Sequence, residues 1–259
     1  MTTQITTELV KELRDATGIS VMQCKKALEE AGGDMNKALA ILKKTSSDIA
    51  LKKADRQLNS GSVIIKNENN KSALVGLLCE TDFVSKNEDF ISLLEKLTDI
   101  TLNEGVDKMK ASSKDLIDPI IQKTGENIGL GDAYIVEGPV LGNYVHNNKA
   151  AVIVSLEGGS TELARDIAMH IAAMKPEYIT NDEIGADIKA TMQEIFEKEV
   201  ASIDKPEDIK KKMLDGKINT YFKEKTLVEQ PFIKDSDKTI GKLLENAKAK
   251  IVEVKRYSI

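Results

Sequence analysis

At 259 residues, with 31% charged and 41% hydrophobic side chains, the chain is long enough to bury one sizeable core or two or three small ones, and has an ordinary soluble balance. Its net charge of −5 argues against a nucleic-acid backbone as the main partner, and no apolar run approaches the ~20 residues of a membrane-spanning helix. Cys24 and Cys79 are far apart and form no C-x-x-C, which suggests a reducing compartment, the cytoplasm, and no metal site. The opening Met1-Thr2-Thr3-Gln4-Ile5-Thr6-Thr7 has neither the basic nor the apolar region of a secretory leader, so secretion is not expected.

Residues 1 to about 55 read as a small helical module. Leu9, Val10, Leu13 and Ala16 form a stripe closed by Gly18. Ser20 with Gln23 has the form of a capping box and opens a helix with Val21, Cys24, Leu28 and Ala31 on one face. Gly32-Gly33 ends it, and Asp34 caps a third helix with Met35, Ala38, Leu39 and Leu42 inward. Met22, Lys25 and Lys26 share the outer face of the second helix, either as a solvated surface or as a docking one. The charged stretch 51–57 is the expected linker.

Residues 56–160 repeat one plan. Gly61–Ile65, a turn at Asn67–Asn70 and Ala73–Leu78 predict a hairpin; Val140–Val145, a turn at His146–Asn148 and Ala150–Leu156 predict another. Each is followed by a helix, so two related subdomains are expected, each a small antiparallel sheet with helices on one face. The first of these helices spans about Asn87 to Leu102. Ser85 with Glu88 matches a capping box, which makes Ser85 its expected N-cap. A looser region, 103–114, then precedes a helical piece near 116–123 and a strand at Ala133–Val136. Between the first hairpin and its helix lies Cys79-Glu80-Thr81-Asp82-Phe83-Val84-Ser85. Phe83 there either tucks into its own core or is held out for another protein.

His170 shares a helix face with Leu163, Ile167, Ile171 and Met174, the setting of a hydrogen-bonded core histidine. His146 stands at a hairpin tip, facing solvent or a partner. Beyond Asn181, Ile184, Ile188, Met192 and Ile195 form one stripe; Ile209, Met213 and Phe222 suggest its return after Asp204-Lys205-Pro206. This predicts an antiparallel coiled-coil arm at about 180–228. Thr239–Ala249 reads as a short helix and Ile251–Tyr257 as a closing strand. No nucleophile–base pair, metal cluster or phosphate loop is evident, so the chain is expected to be no enzyme and to need no cofactor.

Several motifs, in order along nearly the whole chain, resemble the elongation factor Ts family. The most specific is Thr81-Asp82-Phe83-Val84 with Asn87 and Phe90. The others are Thr17–Leu28 with Gly33-Asp34, Gly125-Glu126-Asn127-Ile128, Tyr144-x-His146, Met169–Ile179 and Leu227–Ile233. The resemblance implies an α+β protein: a ubiquitin-associated-like module (1–55), a core subdomain carrying the Thr-Asp-Phe-Val loop (56–136), and a second subdomain with the coiled-coil arm (137–259). It implies a guanine-nucleotide exchange factor for elongation factor Tu, bound in its GDP and nucleotide-free forms as a heterodimer or a 2:2 assembly. Neither nucleic acid nor membrane is expected as a direct partner. It further implies that Thr81, Asp82, Phe83 and Val84 dislodge Mg²⁺ from the GTPase, and that Met22, Lys25 and His146 touch it. Asn147 stands where many members have Gly, so a different turn geometry is expected. Many members also continue past the closing strand into a C-terminal helical module that grips the GTPase, so weaker or redistributed binding is expected here. The competing expectation is a docking module without exchange, with its activity in residues 1–55.

Overall fold

A computed structural model describes residues 5–259; the start of the segment read for a leader, residues 1–4, lies outside the described residues. The chain forms two compact units. One comprises residues up to Glu137 with Val145–Ala151 and Tyr257–Ile259; the other comprises Gly138–Tyr144 and Val152–Arg256. Among the described residues no helix is long and apolar enough to cross a membrane.

The first unit opens with three helices, α1 (Thr7–Thr17), α2 (Val21–Glu30) and α3 (Met35–Lys53). Their ends follow the local chemistry. Gly18 closes α1 at φ 67°, a left-handed conformation that glycine adopts without a Cβ clash. The Ser20 hydroxyl and the Asp34 carboxylate accept the N–H groups of Gln23 and Lys37, capping α2 and α3. Val10, Leu13, Ile19, Cys24, Ala27, Leu28, Ala38 and Leu42 are buried together. Three positions on the expected faces are exposed, Ala16 at the end of α1 among them. Val21 is 52% exposed because Cys24, Ala27 and Leu28 carry the α2 contact, and Leu39 is exposed because Ala38 and Leu42 carry that of α3.

The expected charged linker is also partly helical. Helix α3 runs on to Lys53 because its second half has a partner, α6 (Val106–Thr124). Ser47 donates to the Asp118 carboxylate at 2.6 Å, and Lys43 pairs with Asp115 at 2.7 Å. Helix α6 itself replaces the looser region expected at 103–114. Gly105, at φ 97°, separates it from α5 (Glu88–Glu104), and Met109, Ser113, Ile117 and Ile121 face inward at a spacing of four. Serines and lysines between those positions dilute the apolar pattern in the sequence.

Strands β1 (Ser60–Glu68), β2 (Lys71–Cys79) and β3 (Ile128–Glu137) form an antiparallel sheet in that order, with Ser60 opposite Cys79 and Glu68 opposite Lys71. Strand β2 is central and buried along most of its length, as its unbroken apolar run requires. The register of β2 on β3 shifts between Val75 and Leu77. A Cβ added at the intervening Gly76 would meet the Tyr257 ring at 2.2 Å, so a side chain is excluded there. Val75, Leu77, Phe90, Leu94, Leu97, Met109, Ile117 and Ile121 make the core between sheet and helices.

The second unit repeats the plan. Strands β4 (Val140–His146), β5 (Ala150–Glu157) and β8 (Lys250–Ser258) form a three-stranded sheet in the order β4-β5-β8, and α7 (Thr161–Met174) follows the hairpin. Val152, Val154 and Leu156 pack with Ala164, Ile167 and Ile171. A small hairpin absent from the sequence reading, β6 (Pro231–Phe232) and β7 (Asp235–Thr239), precedes α10 (Ile240–Asn246). The arm consists of α8 (Ala186–Ala201) and α9 (Glu207–Lys225) packed on each other. Its stripe is only partly covered. Ile184 precedes α8 and is buried, whereas Ile188, Ile195 and Ile209 are exposed, because two helices alone bury a narrow seam. The architecture is thus α+β, with N-terminal helices, two three-stranded sheets and one two-stranded hairpin.

His170 is a core histidine. It is fully buried, with Nε2 2.8 Å from Gln230 Oε1, and the Ile233 N–H donates to its Nδ1 at 3.4 Å. A neutral ring protonated at Nε2 satisfies both bonds. Burial holds its pKa below the ordinary value of about 6.5. The unfolded chain therefore binds this proton more readily than the folded one. Stability falls as pH drops from about 6.5 towards the folded pKa, and this loss stops once both states are protonated. Urea unfolding at pH 7.5 and 5.5 checks this: His170→Gln shows a smaller loss between the two pH values than the natural chain.

Candidate functional site

The corner between β2 and α5 is a single turn of helix, α4 (Asp82–Ser85). Thr81 is its N-cap; the Thr81 hydroxyl accepts the Val84 N–H at 3.4 Å. Helix α5 has its own cap, Asn87, whose side chain accepts the Asp89 N–H at 2.9 Å. Ser85 is therefore not the cap that its spacing to Glu88 suggested. It is buried inside the turn, where its hydroxyl donates to the Asp82 carbonyl at 2.9 Å. The adjacent Asn87 leaves α5 no need of it.

Four of the five residues from Thr81 to Ser85 are tied down. Thr81 donates its N–H and its hydroxyl to the Glu126 carboxylate, at 3.0 and 2.6 Å. Asp82 pairs with Lys86 at 2.8 Å, and the Lys86 hydrogen bond holds its carboxyl below the usual range, so it stays anionic. Val84 is half-buried against the first core. The Ser85 carbonyl accepts the Ser62 hydroxyl at 3.0 Å. Phe83 alone points out, 82% exposed. The structure thus decides against the tucked-in reading of this ring. Cys79, beneath the turn, donates to the Thr81 carbonyl, and burial raises its thiol pKa to about 11. That thiol is structural, because only a thiolate is a good nucleophile.

His146 closes β4 at an exposed tip, with Nε2 3.3 Å from Asn147 Nδ2. Asn147 and Asn148 both take positive φ, 50° and 54°, a conformation that asparagine tolerates better than most residues. Asn147 therefore takes a left-handed conformation that glycine also adopts freely. Within the first unit this tip is fastened to β1. Val63 N–H donates to the Asn148 carbonyl at 2.9 Å, and Lys149 Nζ reaches the Gly61 carbonyl at 2.6 Å and Ser60 Oγ at 3.1 Å. Residues 60–63 thus support both the Phe83 turn and the His146 tip.

Met22 and Lys25 lie apart from that pair on α2, which packs on α1 and α3. Met22 is 82% exposed, and Lys25 sits 3.8 Å from Glu29. Beside them a groove of about 300 Å³ runs between α1 and α2. Ile5, Val10 and Val21 line it, and Lys11, Arg14 and Lys25 supply only positive charge.

The sequence does not mark Glu126, Ser62 and Lys149 as parts of the site, because their roles rest on contacts 23 to 89 residues away in the chain. For Glu126 alone a signal existed, in the Gly-Glu-Asn-Ile stretch.

Comparison with known proteins points to one family. The family model described as elongation factor TS matches residues 80–259. An elongation factor Ts of Hahella chejuensis is 39% identical over 266 residues, covering 98% of this chain and 92% of the relative. One from Thioalkalivibrio sulfidiphilus is 39% identical over 269 residues, covering 98% and 92%. One from Aeromonas hydrophila is 38% identical over 265 residues, covering 98% and 90%. With a family-model match over residues 80–259 and relatives 39% identical over 98% of its length, the chain belongs to the elongation factor Ts family.

Proposed function

We propose that this protein is the guanine-nucleotide exchange factor of elongation factor Tu, and that it works by opening the GTPase's Mg²⁺ and phosphate site. The observation that carries this reading is the exposed Phe83 on a turn whose other residues are anchored. A GTPase holds GDP through phosphate-cradling amides and Mg²⁺. Phe83 and the anionic Asp82 enter beside that ion and dislodge it. Thr81 and Val84 keep the turn in shape.

The energetics require more than one contact. Weakening GDP ~10⁴-fold takes about 5.5 kcal/mol of differential binding. Burying Phe83 on the partner supplies roughly 1.5–3 kcal/mol. The remainder comes from the Met22 and Lys25 face of α2 and from His146. The positive lining of the α1–α2 groove suits an acidic, apolar surface on the GTPase. The division into an N-terminal module and two core subdomains fits this use of separate contacts, with the arm as part of the second subdomain. The complex is a heterodimer or a 2:2 assembly, and it acts in the cytoplasm, where free thiols such as Cys24 and Cys79 persist.

Linkage gives the test. A factor that weakens GDP binding must itself bind GDP-loaded Tu more weakly than empty Tu, by the same factor. Calorimetric titration of the chain into both forms is expected to show at least a ~100-fold preference for the empty one. Equal affinities would leave a docking protein without exchange activity.

A further inference from the structure

We propose that Glu126 is a positioning residue for exchange: its carboxylate fixes the turn that presents Phe83 to the partner. This rests on the exchange reading above. A four-residue helix is too short to hold itself together, since one turn fixes several backbone angles for few hydrogen bonds. Its order must come from outside. Glu126 supplies it with a fork: one oxygen takes the Thr81 hydroxyl at 2.6 Å and the other takes the Thr81 N–H at 3.0 Å. The same hydroxyl accepts the Val84 N–H, so the fork locks the cap from which the turn starts.

Glu126 is itself firmly mounted. It follows Gly125, which ends α6 at φ 76° with its N–H on the Ile121 carbonyl. Its neighbour Asn127 is tied in the reverse direction: Glu80, next to Thr81, accepts the Asn127 N–H at 2.6 Å and lies 3.3 Å from Arg56 Nη1. The Asn127 side chain then donates to the carbonyls of Ala54 and Arg56, at 3.3 and 3.0 Å. Two adjacent pairs, Glu80-Thr81 and Glu126-Asn127, thus exchange carboxylate-to-backbone bonds across the start of the turn. Glu126 is half-buried and belongs to none of the three apolar clusters. Removing its charge frees the turn without opening a core.

The test uses the full chain as Glu126→Gln, with release of a fluorescent GDP analogue from elongation factor Tu followed against exchange-factor concentration. The glutamine keeps the shape but replaces one acceptor with a donor. The saturating release rate is expected to fall roughly tenfold as the competent turn becomes a minor population. The half-saturating concentration changes less than about twofold, because the α2 and His146 contacts remain. The thermal midpoint stays within ~2 °C, and hydrogen exchange at the Thr81 and Val84 amides accelerates. Adding Thr81→Val to Glu126→Gln costs less than about twofold more, since the two residues act as one unit.

An unchanged rate, or a rate and midpoint that fall together, overturns the proposal. If Glu126→Gln does not fold, Glu126→Asp replaces it. That variant keeps the charge at shorter reach, and is expected to regain the midpoint but not the rate; regaining both overturns the proposal. A natural chain that fails to accelerate release overturns the exchange reading, and amide exchange at Thr81 then reports on the clamp separately: protection unchanged in Glu126→Gln overturns it.

Discussion

Phe83→Ala slows saturating GDP release from elongation factor Tu by roughly 10- to 150-fold, which is the loss of about 1.5–3 kcal/mol from a buried phenyl ring. The thermal midpoint does not fall, because the ring is 82% exposed and packs on no core of its own. Affinity for the GTPase falls less than rate. A ring that engages only as the nucleotide site opens contributes to the transition state more than to the first complex. Stopped-flow release traces and binding titrations on the same variant separate the two. A parallel loss in both makes Phe83 an ordinary contact and not a wedge.

Phe90→Ala has the opposite profile. Phe90 lies seven residues on, in the second half-turn of α5, and is fully buried between sheet and helices with Leu94 and Leu97. Truncating it leaves a cavity and costs about 3–5 kcal/mol. For a chain of this size that lowers the thermal midpoint by about 10 °C. The loss is read by circular dichroism or from a denaturant midpoint. A cost below about 1 kcal/mol contradicts the packing described for this core. The two phenylalanines of one motif thus differ in setting: one anchors the helix and the other is left exposed.

Much of this was legible in the sequence where a rule is local. Ser20, Asp34 and Gly18 bound their helices through contacts within three or four residues, and the two hairpins are marked by Asn-rich turns between apolar runs. Local rules failed where two of them competed. Ser85 and Asn87 are both good caps, and the nearer one took α5. Helix α6 was obscured because its buried face alternates Met109, Ser113, Ile117 and Ile121, only three of them apolar. At the site, the resemblance identified Thr81–Val84, but exposure of Phe83 depends on what surrounds it. The Glu126 fork depends on a fold that brings together residues 45 apart. Met22 shows the same limit: its helical spacing placed it on an outer face, and only the packed module shows how far it protrudes.

The central claim is that this chain accelerates nucleotide release, with Phe83 as the element that opens the site. The most direct measurement is stopped-flow release of fluorescent GDP from elongation factor Tu, alone, with the natural chain, and with Phe83→Ala. The account predicts strong acceleration by the natural chain and loss of most of it in the variant, at concentrations where both are bound. A folded chain that binds the GTPase and leaves the release rate unchanged contradicts it.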